Sequence, residues 1–169
     1  CLGIDAKKIV DGIKSSPQVP GRFEVLGNGN KKIIVDYSHT ADSLEKALQA
    51  VREIVKDINQ VVTVFGCGGD RDKTKRPIMG KVASDLSDKV FVTSDNPRTE
   101  NPYEIIEDIK KGISNNNFEV EENREEAIKK AIQSSDDNAV ILIAGKGHEN
   151  YQEINEIRNH FSDREVALK

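Results

Sequence analysis

Apolar positions along the chain fall into two recurring patterns. Short continuous apolar runs mark strands that are covered on both faces. They occur at Val61–Phe65, Val90–Thr93 and Ala139–Ala144, the last being the most apolar. Between them, apolar residues recur at helical spacing. Asp42 to Lys56 is predicted as a helix with the stripe Leu44, Ala47, Leu48, Val51, Ile54, Val55, and Asp42 with Glu45 reads as a capping box. Pro77 to Leu86 is a second helix, turning Met79, Val82, Ala83 and Leu86 inward. Asn101-Pro102 opens a third, running through Ile113, with Pro in the first turn where its missing N–H costs nothing. A fourth covers Arg124–Ile132, after a short strand at Phe118–Val120. Strands at Phe23–Leu26 and Lys32–Asp36, joined by Gly27-Asn28-Gly29-Asn30, form a candidate hairpin. Tyr151–Ile154 and Ile157–Phe161 pair as another around Asn155-Glu156, and Ser162-Asp163-Arg164-Glu165 then opens a last helix as a capping box. Alternating strand and helix predicts an α/β fold: a mostly parallel Rossmann-like sheet, helices on both faces, and antiparallel edge hairpins.

The first stretch stands apart. Ile4, Ile9, Val10 and Ile13 form a short amphipathic helix, and Ser15 to Gly21 reads as a turn or linker. A stray helix followed by a Pro-containing link is expected of the C-terminal part of a larger protein. Residues 1–19 are then an interdomain segment and 20–169 the domain proper.

Composition narrows the partners. With 169 residues the chain fits one domain that can bury a real core. Charged residues make up 32% and the net charge is −4, which argues against a nucleic-acid-binding surface. No run approaches the roughly 18 apolar residues of a membrane span. Cys1 and Cys67 have no metal-ligand spacing, and Cys67, in a Gly-rich loop, reads as a small filler rather than a nucleophile. A reducing cytoplasm is the expected location.

The chemistry collects in four loops, each directly after a predicted strand. Open α/β sheets bind ligands at such strand ends. Asp36-Tyr37-Ser38-His39-Thr40-Ala41-Asp42 leads into a helix, with Thr40 or Asp42 as its cap. Gly66 to Lys73 is glycine-rich, and Arg71 in it can grip a carboxylate or phosphate. It is neither a Walker A loop nor a dinucleotide fingerprint. Ser94 to Glu100 packs Asp95, Asn96, Pro97 and Arg98 into one turn. Ala144-Gly145-Lys146-Gly147-His148-Glu149 follows the most apolar strand. One polar loop is commonly just a turn, but four on one rim make a pocket. Two arginines, Arg71 and Arg98, against Asp95 and Glu149 suit a ligand bearing carboxylates and an ammonium: an amino acid, beside a nucleotide.

These same residues resemble the Mur ligases of peptidoglycan synthesis. The likeness is to the C-terminal domain of the tripeptide synthetases that add meso-diaminopimelate. It runs from Val19-Pro20-Gly21-Arg22-Phe23-Glu24, through the four loops, to His160-Phe161-Ser162-Asp163-Arg164-Glu165. The resemblance implies an ATP-dependent enzyme that joins an amino acid to the D-glutamate γ-carboxylate of UDP-MurNAc-L-Ala-D-Glu through an acyl phosphate. It implies that Arg98 binds the distal carboxylate of meso-diaminopimelate, which lysine lacks. Asp95, Asn96 and Pro97 of the same motif, with Arg71, Gly145 and Glu149, would complete the amino-acid site. Arg22 and Asp36 match positions that meet ATP, and His39 lies nearby. ATP and Mg would be held mainly by a central domain. That domain's Gly-Thr-x-Gly-Lys-Thr loop, metal-binding residues and carbamylated lysine have no counterpart in this chain. Nor has the nucleotide-sugar-binding N-terminal domain. The chain alone is therefore expected to be inactive.

One departure is visible: Ser38 and Ala41 stand where the family commonly has Ala and Pro. Losing the proline changes loop stiffness more than chemistry. Rival readings are the same ligase class adding lysine or lanthionine, a folate-extending ligase, and a non-catalytic amino-acid-binding module. A dinucleotide-dependent oxidoreductase is disfavoured by the missing glycine fingerprint.

Overall fold

The computed structural model describes residues 3–27, 29–55 and 60–169. Among them a six-stranded sheet runs in the order β1-β2-β6-β3-β4-β5. Its strands are β1 (Glu24–Leu26), β2 (Lys32–Asp36), β3 (Val61–Phe65), β4 (Lys89–Val92), β5 (Phe118–Val120) and β6 (Val140–Ala144). β1 pairs antiparallel with β2, and every other neighbour is parallel. The first predicted hairpin is thus the antiparallel edge, although Asn28 of its connector lies outside the described residues. The second, β7 (Tyr151–Ile154) with β8 (Ile157–His160), forms a small sheet of its own rather than an edge of the large one.

Period-two alternation divides the sheet's side chains between two cores. Val61, Phe65, Val90, Val92 and Leu142 pack with helices α2 (Ala41–Val55), α3 (Lys75–Leu86) and α4 (Pro102–Lys110). Val62, Val64, Phe91, Ile141 and Ile143 pack on the other face with α5 (Arg124–Ser134) and α6 (Asp163–Ala167). The expectation of helices on both faces holds. β3 and β6 are buried at every position, as continuous apolar runs require.

The element boundaries carry several corrections. α2 is not capped by Asp42 and Glu45. Thr40 Oγ1 accepts from Ser43 N at 3.2 Å and Ser43 Oγ accepts from Thr40 N at 3.1 Å, a reciprocal cap. Ile54, placed on the apolar stripe, is 66% exposed. Lys56, the predicted end of this helix, lies outside the described residues, as does Cys1. α3 begins at Lys75, ahead of Pro77, and α4 stops at Lys110 before a turn through Gly112-Ile113.

Helix α1 (Ala6–Ser15) forms as its spacing predicts, capped by Asp5, yet none of its residues is buried. Gln18, in the segment after it, bonds β1 with both ends of its carboxamide: Val25 N donates to Oε1 at 2.7 Å, and Nε2 donates to Val25 O at 3.3 Å. One side chain thus covers part of an open sheet edge. No helix among the described residues is long and apolar enough to cross a membrane.

Candidate functional site

Four strands end level with one another. Asp36 pairs with Ala144, Ala144 with Phe65, and Phe65 with Val92. The four polar loops therefore leave one rim side by side, and they enclose a cavity of about 590 Å³. Arg71, Asp95, Asn96, Arg98, Gly145 and Glu149 all line it, with His39, Tyr37, Lys75 and Tyr151. Pro97 does not. Its carbonyl accepts from Glu100 N at 3.0 Å and closes the turn.

The glycine-rich loop and the Asp95–Arg98 loop touch through backbone. Gly69 N donates to Asn96 O at 2.9 Å, and a Cβ on Gly69 would sit 1.9 Å from Pro97 O. Glycine is there because two loops meet. Gly145, with φ of 119°, occupies backbone space open essentially to glycine, and its N–H donates to Asp36 O at 3.0 Å.

Arg98 is lightly held. Nη1 donates to Gly69 O at 2.8 Å, and Nε stands 4.0 Å from Glu153 Oε2. Its φ is 53°, unusual for a residue with a side chain. The β7–β8 hairpin holds it so: Arg98 N donates to Glu153 O at 3.0 Å, and Asn155 N donates to Arg98 O at 2.8 Å. The hairpin is thus the clamp of this loop. Arg71 is exposed, and its Nη1 donates to Asp70 O at 3.0 Å.

Below the cavity lie charges whose burial the sequence did not reveal. Lys146 is fully buried; its Nζ donates to Asn96 Oδ1 and to Tyr151 O, each at 2.8 Å, and lies 3.1 Å from Asp95 Oδ1. Burial pushes its ammonium below the usual lysine range. Arg124 forks onto Asp163 at 2.7 and 2.8 Å and reaches Ala144 O and Ser94 O, joining the ends of β6 and β4. Arg76 grips Glu100 at 2.9 and 3.1 Å and Asp108 at 3.0 Å. Glu100 in turn accepts from Asp70 N at 2.6 Å, and Arg76 chiefly holds its carboxyl down to about 2. A buried Lys or Arg is uncommon enough that sequence reading assigns it to solvent. The available signal was Lys146 one glycine beyond the most apolar strand.

The residues assigned to ATP lie at one side. Arg22 is exposed and stacks 4.4 Å over the Tyr37 ring, which also contacts His39 and His148. His39 lines the cavity, but Arg22 and Asp36 do not. The Asp36 oxygens accept from Phe23 N at 2.7 Å and from Ser38 Oγ, so this carboxylate fixes the turn that carries Arg22. Cys67 is buried against Met79, its Sγ 3.7 Å from the Met79 Sδ. Burial raises its thiol to about 12, too high for a nucleophile at neutral pH. Among the described residues no three His, Cys, Asp or Glu side chains converge as a metal-ligand set.

Residues 21–147 match the family model described as Mur ligase, glutamate ligase domain. The chain is 50% identical over 172 residues to UDP-N-acetylmuramoyl-L-alanyl-D-glutamate–2,6-diaminopimelate ligase 1 of Clostridium acetobutylicum, covering 99% of this chain and 35% of that protein. A solved UDP-N-acetylmuramoyl-L-alanyl-D-glutamate–2,6-diaminopimelate ligase superposes with a TM-score of 0.81 at 41% identity, covering 98% of this chain and 34% of that one. A folylpolyglutamate synthase of Thermotoga maritima shares the fold at TM-score 0.61 and 24% identity, over 85% of this chain and 31% of that one. The chain spans about a third of the length of the curated relatives it matches.

Proposed function

The chain belongs to the Mur ligase family, and from that membership we propose that it is the amino-acid-binding domain of an ATP-dependent ligase adding meso-diaminopimelate to UDP-MurNAc-L-Ala-D-Glu. The observation that carries the reading is the charge layout of the cavity. Arg98 and Arg71 face it together with Asp95 and Glu149. A zwitterion with a second carboxylate meets complementary groups at both ends.

In this reading ATP phosphorylates the D-glutamate γ-carboxylate, and ADP leaves. The amine of the incoming amino acid then forms the amide bond, expelling phosphate and losing a proton. The domain's part is positional. Asp95 and Glu149 hold ammonium, and Arg98 holds the distal carboxylate. Gly145, lacking a side chain, leaves room for close approach. Arg22 and His39, flanking Tyr37, face the side from which the nucleotide would come, and Asp36 steadies Arg22. The remaining domains would hold ATP, Mg and the nucleotide-sugar substrate in the bacterial cytoplasm. Without them the chain is expected to show no turnover, and ligase activity of the isolated chain would refute this.

The test is a full-length ligase carrying this chain, assayed with meso-diaminopimelate, lysine and lanthionine. Lysine leaves Arg98 without its carboxylate and should be strongly disfavoured. Lanthionine has the same two amino-acid ends and should compete. Arg98→Ala should lower kcat/KM for meso-diaminopimelate by about 100-fold, with little effect on lysine. Unchanged selectivity in that variant would remove the role given to Arg98.

A further inference from the structure

We propose that Lys146 is a positioning residue for the amino-acid site: one buried ammonium sets the direction of Asn96 and keeps Asp95 and Glu149 together as an acceptor for the ammonium of the substrate. This rests on the reading of the cavity as an amino-acid site.

Nζ of Lys146 is surrounded as an ammonium requires. An ammonium has three donors and no acceptor. Nζ donates to Asn96 Oδ1 and Tyr151 O at 2.8 Å, and Asp95 Oδ1 stands beside it as an ion pair at 3.1 Å. Glu149 Oε2 stands further out at 4.0 Å. Four residues that line the cavity, on the loop after β4, the loop after β6 and strand β7, therefore refer to one atom of a residue that does not line it.

The direction of Asn96 follows. Its Oδ1 accepts from Lys146 Nζ and, at 2.9 Å, from Glu153 N. With the oxygen end fixed by two donors, the NH₂ end must point the other way. There it donates to Glu149 Oε2 at 3.1 Å. Lys146 thus acts on Glu149 twice, by charge and through the amide. Tyr37 OH is a further donor to Glu149, at 3.5 Å.

The same cation answers an electrostatic difficulty. A site for an ammonium needs carboxylates, and two of them at one wall repel when the site is empty. The charged groups facing Lys146 are Asp95 from the loop after β4, Glu149 from its own loop, and the Arg124–Asp163 pair from α5 and α6. Arg124 is forked onto Asp163 and acts on Asp95 and Glu149 only from further away, so Lys146 is their close counter-charge. The Tyr151 ring centroid lies 5.8 Å from Nζ.

The experiment uses the full-length ligase with Lys146→Met and Lys146→Gln. Met is neutral and similar in length, but removing one member of a buried pair is costly, so a melting curve first checks that the variant is folded. Gln keeps a donor for Asn96 but not the charge. Both variants should raise KM for meso-diaminopimelate by about tenfold or more at neutral pH, leaving KM for ATP within about twofold. An unchanged KM for meso-diaminopimelate, or an equal rise in KM for ATP, overturns the proposal. Should Lys146→Met unfold, Lys146→Gln still decides through the same pair of KM values. A wild-type ligase that does not use meso-diaminopimelate instead overturns the assigned substrate, which is a separate result.

Discussion

Arg124 and Arg98 belong to the same rim, yet they keep different company. Arg124 is 1% exposed, and its fork is closed on Asp163. Arg98 has a carbonyl and a carboxylate 4.0 Å away, and it opens on the cavity. The contrast extends across the site. Arg76 and Lys146, like Arg124, are fully buried and matched by groups of the chain itself. Arg71 and Arg22 are exposed on the loops above. Charges buried against carboxylates of the chain build the loops, and charges left open on the cavity are available to a ligand. A buried pair is retained at no clear gain in stability over an apolar substitute, but breaking it is costly. The lower layer is accordingly the fragile one.

Removing one member of that layer should give the largest effect. Asp163→Ala leaves Arg124 buried without its counter-charge, and urea unfolding should show a loss of about 3–5 kcal/mol. A loss below about 1 kcal/mol would end the distinction between the two layers. Next comes the contact between loops. Gly69→Ala drives a Cβ to 1.9 Å from Pro97 O, so the loops must separate, at about 1–3 kcal/mol by the same measurement.

The Arg76–Glu100 pair gives a pH test. The Glu100 carboxyl is held at about 2 rather than 4.5, chiefly by Arg76. A depressed acid adds stability above its unfolded value, and this is lost as pH falls through the folded value. The Tm gap between wild type and Glu100→Gln should be full above 4.5 and close as pH falls towards 2. A gap constant over that range would show that packing, not ionisation, is responsible. The smallest effect on stability should come from the upper layer. Arg71→Ala should leave unfolding within about 0.5 kcal/mol of wild type. In the full-length ligase the same variant should raise KM for the diamino acid, which sharpens the contrast from the other side.

The upper layer and the sheet were legible in the sequence, and the lower layer was not. Val61–Phe65 and Ala139–Ala144 are long enough and apolar enough to be recognised as covered strands, and chemistry-bearing loops follow each of them. Nothing local tells that β6 inserts between β2 and β3. That order depends on which edges pair, and it alone makes the loops of Asp36, Phe65, Val92 and Ala144 neighbours. Arg76, Arg124 and Lys146 were missed for a different reason. Each looks like any solvated basic residue until its partner arrives from 24, 39 or 50 positions away. Thr40 and Ser43 displaced Asp42 and Glu45 as the cap because the helix starts one residue earlier than the apolar stripe suggests. α1 is the opposite case. Its stripe is plain in the sequence, and the described residues offer it nothing to pack against.

The Arg124–Asp163 pair also imposes an order in time. A ribosome releases the chain from its amino end, at about 5–20 residues per second. Thirty-nine positions separate the two partners, so Arg124 waits on the order of 2–8 seconds for its carboxylate at that pace. Until then the ends of β4 and β6 have no clasp between them. The rim is thus completed only once α6 has been made.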